Sequence, residues 1–147
     1  MAELDPGREQ EIRDSIRRQT LLTTLGVEVA EVASGRVALD LPFRADICQQ
    51  NGYVHAGAVT AVADSACGYA ALTQLPGGRD VLTVEFKVNL LSPALGERFR
   101  AVGSVVRSGR TLTVCSAEVT ASRGTGEPRL VALMQATMMA VTPQSAA

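Results

Sequence analysis

A long segment of small and apolar residues in the middle of the chain constrains the fold more than any other feature. It runs from about Ala56 to Leu75, where Pro76-Gly77-Gly78 predicts the end of a helix. Small side chains allow neighbouring backbone to approach closely, so we predict a central helix around which a sheet wraps tightly. The small residues of this segment include Ala58, Ala61, Ala63, Ala66, Gly68, Ala70 and Ala71.

Apolar periodicity predicts the elements on either side of this helix. Residues 8–25 have the apolar spacing of one helical face. Residues 27–41 alternate in the manner of a hairpin with its turn at Ser34-Gly35, and residues 42–54 are loop-like. Four strands are predicted after the central helix, over residues 82–90, 99–107, 111–121 and 130–141.

The first of these four strands shows a clear alternation of side chains. Because the links between the four strands are short, we expect consecutive strands to be antiparallel neighbours. The whole pattern predicts an α+β fold, in which an antiparallel sheet of five or six strands wraps one long central helix and an N-terminal helix is added. The predicted faces of the first strand are Leu82, Val84, Phe86, Val88 and Leu90 on one side and Thr83, Glu85, Lys87 and Asn89 on the other.

Length and charge restrict the organisation and the partners. We expect a single domain over residues 1–147, with flexible tails at 1–7 and 142–147. The net charge is −1 and no basic stripe indicates nucleic acid. No apolar run reaches the roughly 20 residues that span a bilayer, and the charged N-terminus lacks the apolar core of a secretion signal. A cytoplasmic protein with neither a nucleic-acid nor a membrane partner is expected.

The three cysteines do not form a recognisable framework. Cys48, Cys67 and Cys115 are odd in number and far apart, and His55 has no metal-ligand spacing with them. We therefore expect buried thiols, with no disulfide and no metal site.

Asp64 is the residue that points to function. It lies eight residues inside the apolar helix, although Asp favours helix starts and a carboxylate is costly to bury. Asp64 is therefore expected either at a water-filled cleft or in a chemical role.

The start of the helix offers a second chemical feature. At His55-Ala56-Gly57 the first-turn N–H groups have no acceptor within the helix, and the positive end of the dipole suits a developing oxyanion. An ordinary helix start with small residues is the alternative. His55 is interpreted as a ligand, an acid-base group or a structural cap, with a positioning role favoured. Gln49, Gln50 and Asn51 can orient a water or a carbonyl, or be solvated loop residues.

The helix geometry separates these two features. Ala56 and Asp64 are eight residues apart, which is roughly 12 Å along one helix axis. A reacting carbonyl must lie about 3 Å from both the oxyanion donor and the base or nucleophile. If both groups act, Ala56 of one chain must meet Asp64 of a second chain, in a dimer with two composite sites.

Weaker signals lie elsewhere in the chain. Arg107-Ser108-Gly109-Arg110-Thr111 places two guanidinium groups around a turn, which suits a phosphate or is simply solvated. The Thr83 hydroxyl is placed beside Glu85 on the polar face of its strand, from which it could reach a cleft. Neither a phosphate-binding glycine loop nor a serine-nucleophile elbow is present. The N-terminal basic residues Arg8, Arg13, Arg17 and Arg18 are predicted to lie on a solvated helix face.

Taken together, these segments resemble the hotdog-fold acyl-CoA thioesterases of the PaaI-like group. The resemblance spans about residues 20–141, in the order and spacing of that family. It implies a sheet wrapped round one long helix, assembled as a homodimer and a dimer of dimers, with no cofactor. The segments that carry it are Asn51-Gly52-Tyr53-Val54-His55-Ala56-Gly57-Ala58, Ala63-Asp64-Ser65-Ala66, Val84-Glu85-Phe86-Lys87-Val88-Asn89-Leu90-Leu91-Ser92-Pro93-Ala94 and Ser108-Gly109-Arg110-Thr111-Leu112.

The resemblance also implies residue roles. Asp64 corresponds to the catalytic carboxylate, as general base or nucleophile. Ala56 replaces the first glycine of a His-Gly-Gly motif whose backbone N–H polarises the thioester oxygen. Gln49 corresponds to an amide that orients water or the carboxylate, and Thr83 to a water-positioning hydroxyl. The turn from Arg107 to Leu112 corresponds to the contact with the nucleotide end of coenzyme A.

Three functions follow as expectations. The first is hydrolysis of an aryl or medium-chain acyl-CoA. The pocket for the acyl group is then lined by Tyr69, Leu72 and Leu90 or by the N-terminal segment. The second is a hydratase or dehydratase of acyl thioesters that uses His55 and Asp64 as an acid-base pair. The third is a non-catalytic acyl-CoA-binding protein.

Overall fold

One antiparallel sheet and one long helix make up the fold. The structure, a computed structural model, describes residues 3–144 and confirms the expected α+β architecture. The helices are α1 (Pro6–Arg18), α2 (Thr20–Leu25) and α3 (Ala56–Leu72), with a short 3-10 turn at Ala45–Ile47. The strands are β1 (Glu28–Ala33), β2 (Arg36–Pro42), β3 (Asp80–Leu90), β4 (Arg98–Ser108), β5 (Leu112–Ser122) and β6 (Arg129–Val141).

The ends of the elements differ from the predicted ones by a few residues. Helix α3 ends at Leu72 rather than Leu75. Helix α1 begins at Pro6, because Asp5 caps it by accepting a hydrogen bond from the Arg8 N–H at 3.0 Å. Pro6 and Gly7 of the expected N-terminal tail are therefore helical. Residues 1, 2 and 145–147 of the two expected tails lie outside the described residues.

The core lies between α3 and the face of the sheet that packs on it, and small residues allow the two to approach closely. Ala63, Ala66 and Ala70 of α3 are fully buried. Gly103 of β4 shows how close the two elements are, because a Cβ added there would lie 2.3 Å from the carbonyl carbon of Ala66. The predicted tight wrapping of a sheet around the helix is thus confirmed by a backbone-to-backbone contact.

The N-terminal helix is broken, which the periodicity did not predict. Gln19 adopts an extended conformation between α1 and α2, and its side chain turns toward α3. Arg8 is not on a solvated face, as its interleaving with acids predicted. Its guanidinium donates to the carbonyl oxygens of Leu72, the last residue of α3, at 3.1 Å and of Leu75, just after the helix, at 3.3 Å.

The strand order corrects one expectation. Within residues 3–144 the order is β1-β2-β4-β5-β6-β3, so β3 pairs with β6 and not with its sequence neighbour β4. The link at residues 91–97 is long enough to make this crossing. Seven extended residues reach over about 23 Å. The distance from β3 across β6 and β5 to β4 is three strand spacings, or only about 14 Å. A short link therefore did not imply adjacency.

A β-bulge in β3 corrects the predicted faces of that strand. The register shifts between Thr83 and Glu85, which leaves Val84 as the extra residue. Thr83 pairs with the buried Met138, so it lies on the α3 side of the sheet, opposite to the face of Glu85. The same shift places Leu82 on the outer face. Simple alternation was wrong here because it assumes a regular strand.

Gly103→Ala is expected to destabilise the fold, because its Cβ would collide with the backbone of α3. We expect a loss of about 1–3 kcal/mol in the free energy of unfolding, measured by urea titration. Gly77→Ala is the matched control, since an added Cβ there meets no atom within 4 Å. Equal midpoints for the two variants would contradict the close approach of α3 to β4.

Candidate active site

The Asp64 carboxylate is held in place by a hydroxyl from the sheet. Asp64 is half-buried on α3, and the Thr83 hydroxyl donates a hydrogen bond to its Oδ1 at 2.8 Å. The bulge in β3 turns Thr83 toward the helix and so makes this contact. Among residues 3–144, Oδ2 of Asp64 has no hydrogen-bond partner. One carboxylate oxygen is therefore oriented, and the other is available to a water or a substrate.

Asp64 and Thr83 line a cavity of about 290 Å³, here called the carboxylate cavity. The cavity lies between α3, the beginning of β3 and the N-terminal helices. Tyr69 and Leu72 line it, as expected for an acyl pocket, whereas Leu90 does not. Its other lining residues include Gln19, Leu21, Ser65, Gly68 and Val81.

Polar groups at the wall of this cavity form a network that the sequence did not indicate. Gln19 accepts from the Ser65 hydroxyl at 3.1 Å, and its amide donates to the Tyr69 hydroxyl at 3.4 Å. The hydroxyls of Ser15 and Tyr69 lie 3.3 Å apart. Glutamine is a good helix former, so nothing in the sequence marked Gln19 as a break or as a cavity residue.

The start of α3 leaves one backbone donor free. His55 caps the helix, because its Nδ1 accepts from the Gly57 N–H at 2.8 Å. The His55 carbonyl oxygen accepts from the N–H groups of Ala58 at 3.0 Å and Val59 at 3.2 Å. Within the described residues the Ala56 N–H has no acceptor. Of the three roles considered for His55, the structure shows the structural cap.

Ala56 lines a different cavity, of about 410 Å³, here called the amide cavity. Gln49 lines it as well, beside Val59 and Leu90. The Gln49 Oε1 accepts from the Asn51 and Tyr53 N–H groups and so folds the loop before the helix. Because the oxygen is used in this way, the side-chain NH₂ is the part of Gln49 that is available to a ligand.

The structure therefore groups the expected site residues into two pairs. Asp64 and Thr83 are in contact in one cavity, and Ala56 and Gln49 share the other. The rise of α3 separates Ala56 from Asp64 by about 12 Å. No single carbonyl can contact both pairs within one protomer.

The Arg107–Thr111 turn lies at the same end of the sheet as the beginning of β3. It joins β4 to β5 and is closed by the Gly109 N–H, which donates to the Leu112 carbonyl oxygen at 2.8 Å. The Thr111 carbonyl oxygen accepts from Ala140, which pairs with Val81 of the carboxylate cavity. Both guanidinium groups of the turn belong to exposed residues. Neither arginine is among the residues that line the carboxylate cavity.

Two of the three cysteines are buried in the core. Cys67 and Cys115 are buried as expected, whereas Cys48 is half-exposed. Burial raises the pKa of Cys67, and it raises the pKa of Cys115 to about 11. No cluster of three or more metal-ligating side chains occurs within residues 3–144. In the same range, no helix has the length and apolarity needed to cross a membrane.

Comparisons with known proteins agree with this fold. Residues 51–127, more than half of the chain, match the family model of the thioesterase superfamily. A crystal structure of a thioesterase family protein from Silicibacter pomeroyi is 49% identical, with a TM-score of 0.89 over 93% of this chain and 100% of that one. The chain belongs to the thioesterase superfamily.

Two further proteins are similar to this chain, one in fold and one in sequence. The E. coli PaaI protein, 18% identical, shares the fold with a TM-score of 0.83 over 94% of this chain and 96% of its own. A Saccharolobus solfataricus protein, provisionally named an esterase, is 32% identical over 94 residues. The match covers 64% of this chain and 66% of that relative. The fold is the hotdog fold, and the protein is a hydrolase of thioesters or esters.

Thr83→Val is expected to lower kcat for thioester hydrolysis by about 10- to 100-fold, because a near-isosteric methyl replaces the hydroxyl that orients Asp64. Thr83→Ser keeps the donor and is expected to retain most of the activity. Equal rates for the Val and Ser variants, with equal melting temperatures, would exclude a role for this hydrogen bond.

Proposed function

We propose that the protein hydrolyses an acyl-CoA thioester to a carboxylic acid and free coenzyme A, in composite sites of a homodimer. One observation supports this most strongly. An oriented carboxylate at Asp64 and a helix-terminal N–H at Ala56, which has no acceptor within residues 3–144, lie in separate cavities of a thioesterase-superfamily chain. Each cavity holds half of what hydrolysis of a thioester requires.

The edge of the sheet indicates how two chains would join these halves. Within the described chain, β3 is an edge strand of eleven residues. It exposes Leu82, Val84 and Leu90 by 60%, 55% and 54%. A long apolar edge is an aggregation hazard unless another strand covers it. A second copy of β3, paired antiparallel about a two-fold axis, is the simplest cover.

Such pairing would bring the two cavities together. In an antiparallel pair the beginning of one strand lies beside the end of the other. Residues 80–83 line the carboxylate cavity, and residues 90–92 line the amide cavity. The carboxylate cavity of one protomer would therefore face the amide cavity of its partner, and the pair would contain two such sites.

The proposed reaction uses both halves at the thioester carbonyl. The oxygen accepts from the Ala56 N–H of one protomer, where the dipole of α3 also favours negative charge. Asp64 of the other protomer removes a proton from water as the water oxygen attacks the carbonyl carbon. The tetrahedral intermediate then expels the coenzyme A thiolate, which takes the proton from Asp64. Direct attack by Asp64, followed by hydrolysis of the resulting anhydride, gives the same products.

The remaining residues take supporting roles in this proposal. The Gln49 NH₂ positions water or the carbonyl, and Thr83 holds the Asp64 carboxylate. Arg107 and Arg110, exposed on the turn between β4 and β5, contact the phosphates of coenzyme A. Leu112 and Met139, paired and exposed on the outer face, are candidates for the contact between two dimers.

The Nδ1 of His55 accepts a hydrogen bond from the Gly57 N–H, so His55 caps α3 at the end where the amide cavity lies. Asp64 lines the carboxylate cavity instead. The structure therefore gives no support to an acid-base pair of His55 and Asp64 within one protomer. Hydrolysis is favoured over hydration or dehydration because the family model that residues 51–127 match is that of the thioesterase superfamily.

Asp64→Asn tests the proposal directly. The variant keeps the shape of the side chain but loses the base or nucleophile, so kcat is expected to fall by about 100-fold or more. The assay is thiol release from a panel of aryl- and medium-chain acyl-CoA substrates. Light scattering is expected to show that the variant remains a dimer.

Asp14→Asn on α1 is the control, because it removes a surface carboxylate that lines neither cavity. Wild-type rates in Asp64→Asn would overturn the catalytic assignment. Binding of the panel without thiol release would instead indicate a non-catalytic binder, and turnover of an enoyl-CoA without thiol release would indicate a hydratase.

A further inference from the structure

The free edge of β3 carries two opposite charges on one face of the sheet. Glu85 and Lys87 are exposed, and they lie on the outer face, where they pair with Thr137 and Gln135 of β6. The Glu85 carboxylate accepts from the Thr137 hydroxyl, and the Lys87 Nζ donates to Asn89 Oδ1 at 2.9 Å. Within residues 3–144, neither charge belongs to an ion pair. Both are therefore available to a group that approaches this edge.

Phe86, between these two charges, lies on the α3 side of the sheet. It pairs with the buried Ala136, yet 44% of its own surface is exposed. Aromatic side chains pack favourably against each other across neighbouring strands. The edge of β3 thus presents an acid and a base on one face and an exposed ring between them on the other.

A two-fold axis allows few registers in which β3 could pair with a second copy of itself. Residues opposite each other in an antiparallel pair share a face, so the axis passes through a residue and not between two. An axis at Glu85 places two carboxylates opposite each other, and an axis at Lys87 does the same with two ammonium groups. Like charges directly opposite destabilise a pair of strands. An axis at Phe86 instead places each Glu85 opposite Lys87 of the partner and brings the two Phe86 rings together.

The two cavities select the same axis independently. With Val84 counted as the extra residue of the bulge, an axis at Phe86 places Val81 opposite Leu90 of the partner. Val81 lines the carboxylate cavity and Leu90 lines the amide cavity. An axis at Val88 would shift these two walls apart by four residues, or about 13 Å. Of these axes, only the one at Phe86 both joins the half-sites and pairs opposite charges.

We propose that two copies of the chain pair through β3 about an axis at Phe86, and that the two ion pairs between Glu85 and Lys87 of the partner set this register. The inference rests on the proposed hydrolysis at a site shared between protomers. Glu85 and Lys87 are then positioning residues. They do not contact the substrate, but they align the Asp64 half-site of one protomer with the Ala56 half-site of the other.

A charge swap that keeps the net charge tests this register. The double variant Glu85→Lys/Lys87→Glu regains both ion pairs when it pairs with itself, whereas a mixed dimer with the wild type contains two like-charge pairs. These like-charge pairs are expected to weaken the mixed dimer about tenfold. When a tagged wild-type chain and the double variant are co-expressed in equal amounts, mixed dimers are then expected to make up about a tenth of all dimers in native mass spectrometry. Random pairing gives about half.

The same swap gives the opposite result for the competing axes. About an axis at Glu85 or Lys87, a mixed dimer would bring unlike charges together, so mixed dimers would exceed half. Asp14→Arg/Arg17→Asp is the matched control, because it reverses an exposed ion pair of α1 without changing the net charge. This control is expected to pair with the wild type at random.

The two single variants provide a second measurement that does not need the double variant. Glu85→Lys opposes two lysines in its own dimer, and Lys87→Glu opposes two glutamates. Co-expressed, the two variants regain both ion pairs only in the mixed dimer, which is expected to make up about nine tenths of all dimers. A mixed fraction of about half would contradict ion pairing between Glu85 and Lys87 across the axis.

The outcomes separate the register from the function on which it rests. Mixed dimers at about half or more in the double-variant experiment, with thiol release intact in the wild type, overturn the register and leave the hydrolysis standing. Dimers that sort as expected, without thiol release from the acyl-CoA panel, overturn the hydrolysis and leave the register standing. A wild-type chain that is monomeric in native mass spectrometry overturns both.

Discussion

The rigid rise of α3 is the constraint on which the site depends. A helix advances by a fixed amount per residue, so the Asp64 carboxylate and the Ala56 N–H cannot approach within one chain. Each group is nevertheless prepared for a ligand. Asp64 is oriented by Thr83, and Ala56 is the first-turn donor left free by the His55 cap within residues 3–144. Asp64 and Ala56 are thus two half-sites on one rigid helix. This arrangement favours an active site that a second copy of the chain completes.

The rigidity of α3 depends in turn on its close contact with the sheet. Alanines along the helix and Gly103 on β4 bring the two backbones together, and the core fills the space around them. The edge strand β3 then runs beside both cavities, with its beginning at Asp64 and its end near Ala56. The same strand thus serves as the cavity wall and as the surface through which two protomers would pair.

Local pattern was enough to predict the elements, but not their long-range arrangement. The Pro76-Gly77-Gly78 segment after α3 and the alternation of the strands placed six strands and the central helix within a few residues. The order of the strands could not be predicted, because the link between β3 and β4 is long enough either to turn back or to cross. The bulge at Val84 was missed since nothing in the local alternation marks an extra residue.

The site was predictable where a residue was locally out of place. Asp64 stood out as a charge in an apolar helix, and Ala56 as a first-turn donor. Gln19 did not stand out, because its role depends on contacts between elements distant in sequence. Arg8 was misplaced for the same reason, as its partners are carbonyl oxygens at the far end of α3. Sequence alone identifies unusual residues more readily than it identifies unusual contacts.

Complementation between two inactive variants tests the composite site most directly. Ala56→Pro removes the N–H from the first helical position, where proline is well tolerated. His55 already has the extended conformation that a residue before proline requires, with φ −59° and ψ 138°. Asp64→Asn removes the carboxylate. Each variant alone is expected to retain about 1% of activity or less. Co-expressed in equal amounts, they are expected to recover about a quarter of wild-type activity, because half of the dimers then contain one intact site of two. Activity no greater than the average of the two separate variants, in a mixture shown to contain heterodimers, would contradict a site shared between protomers.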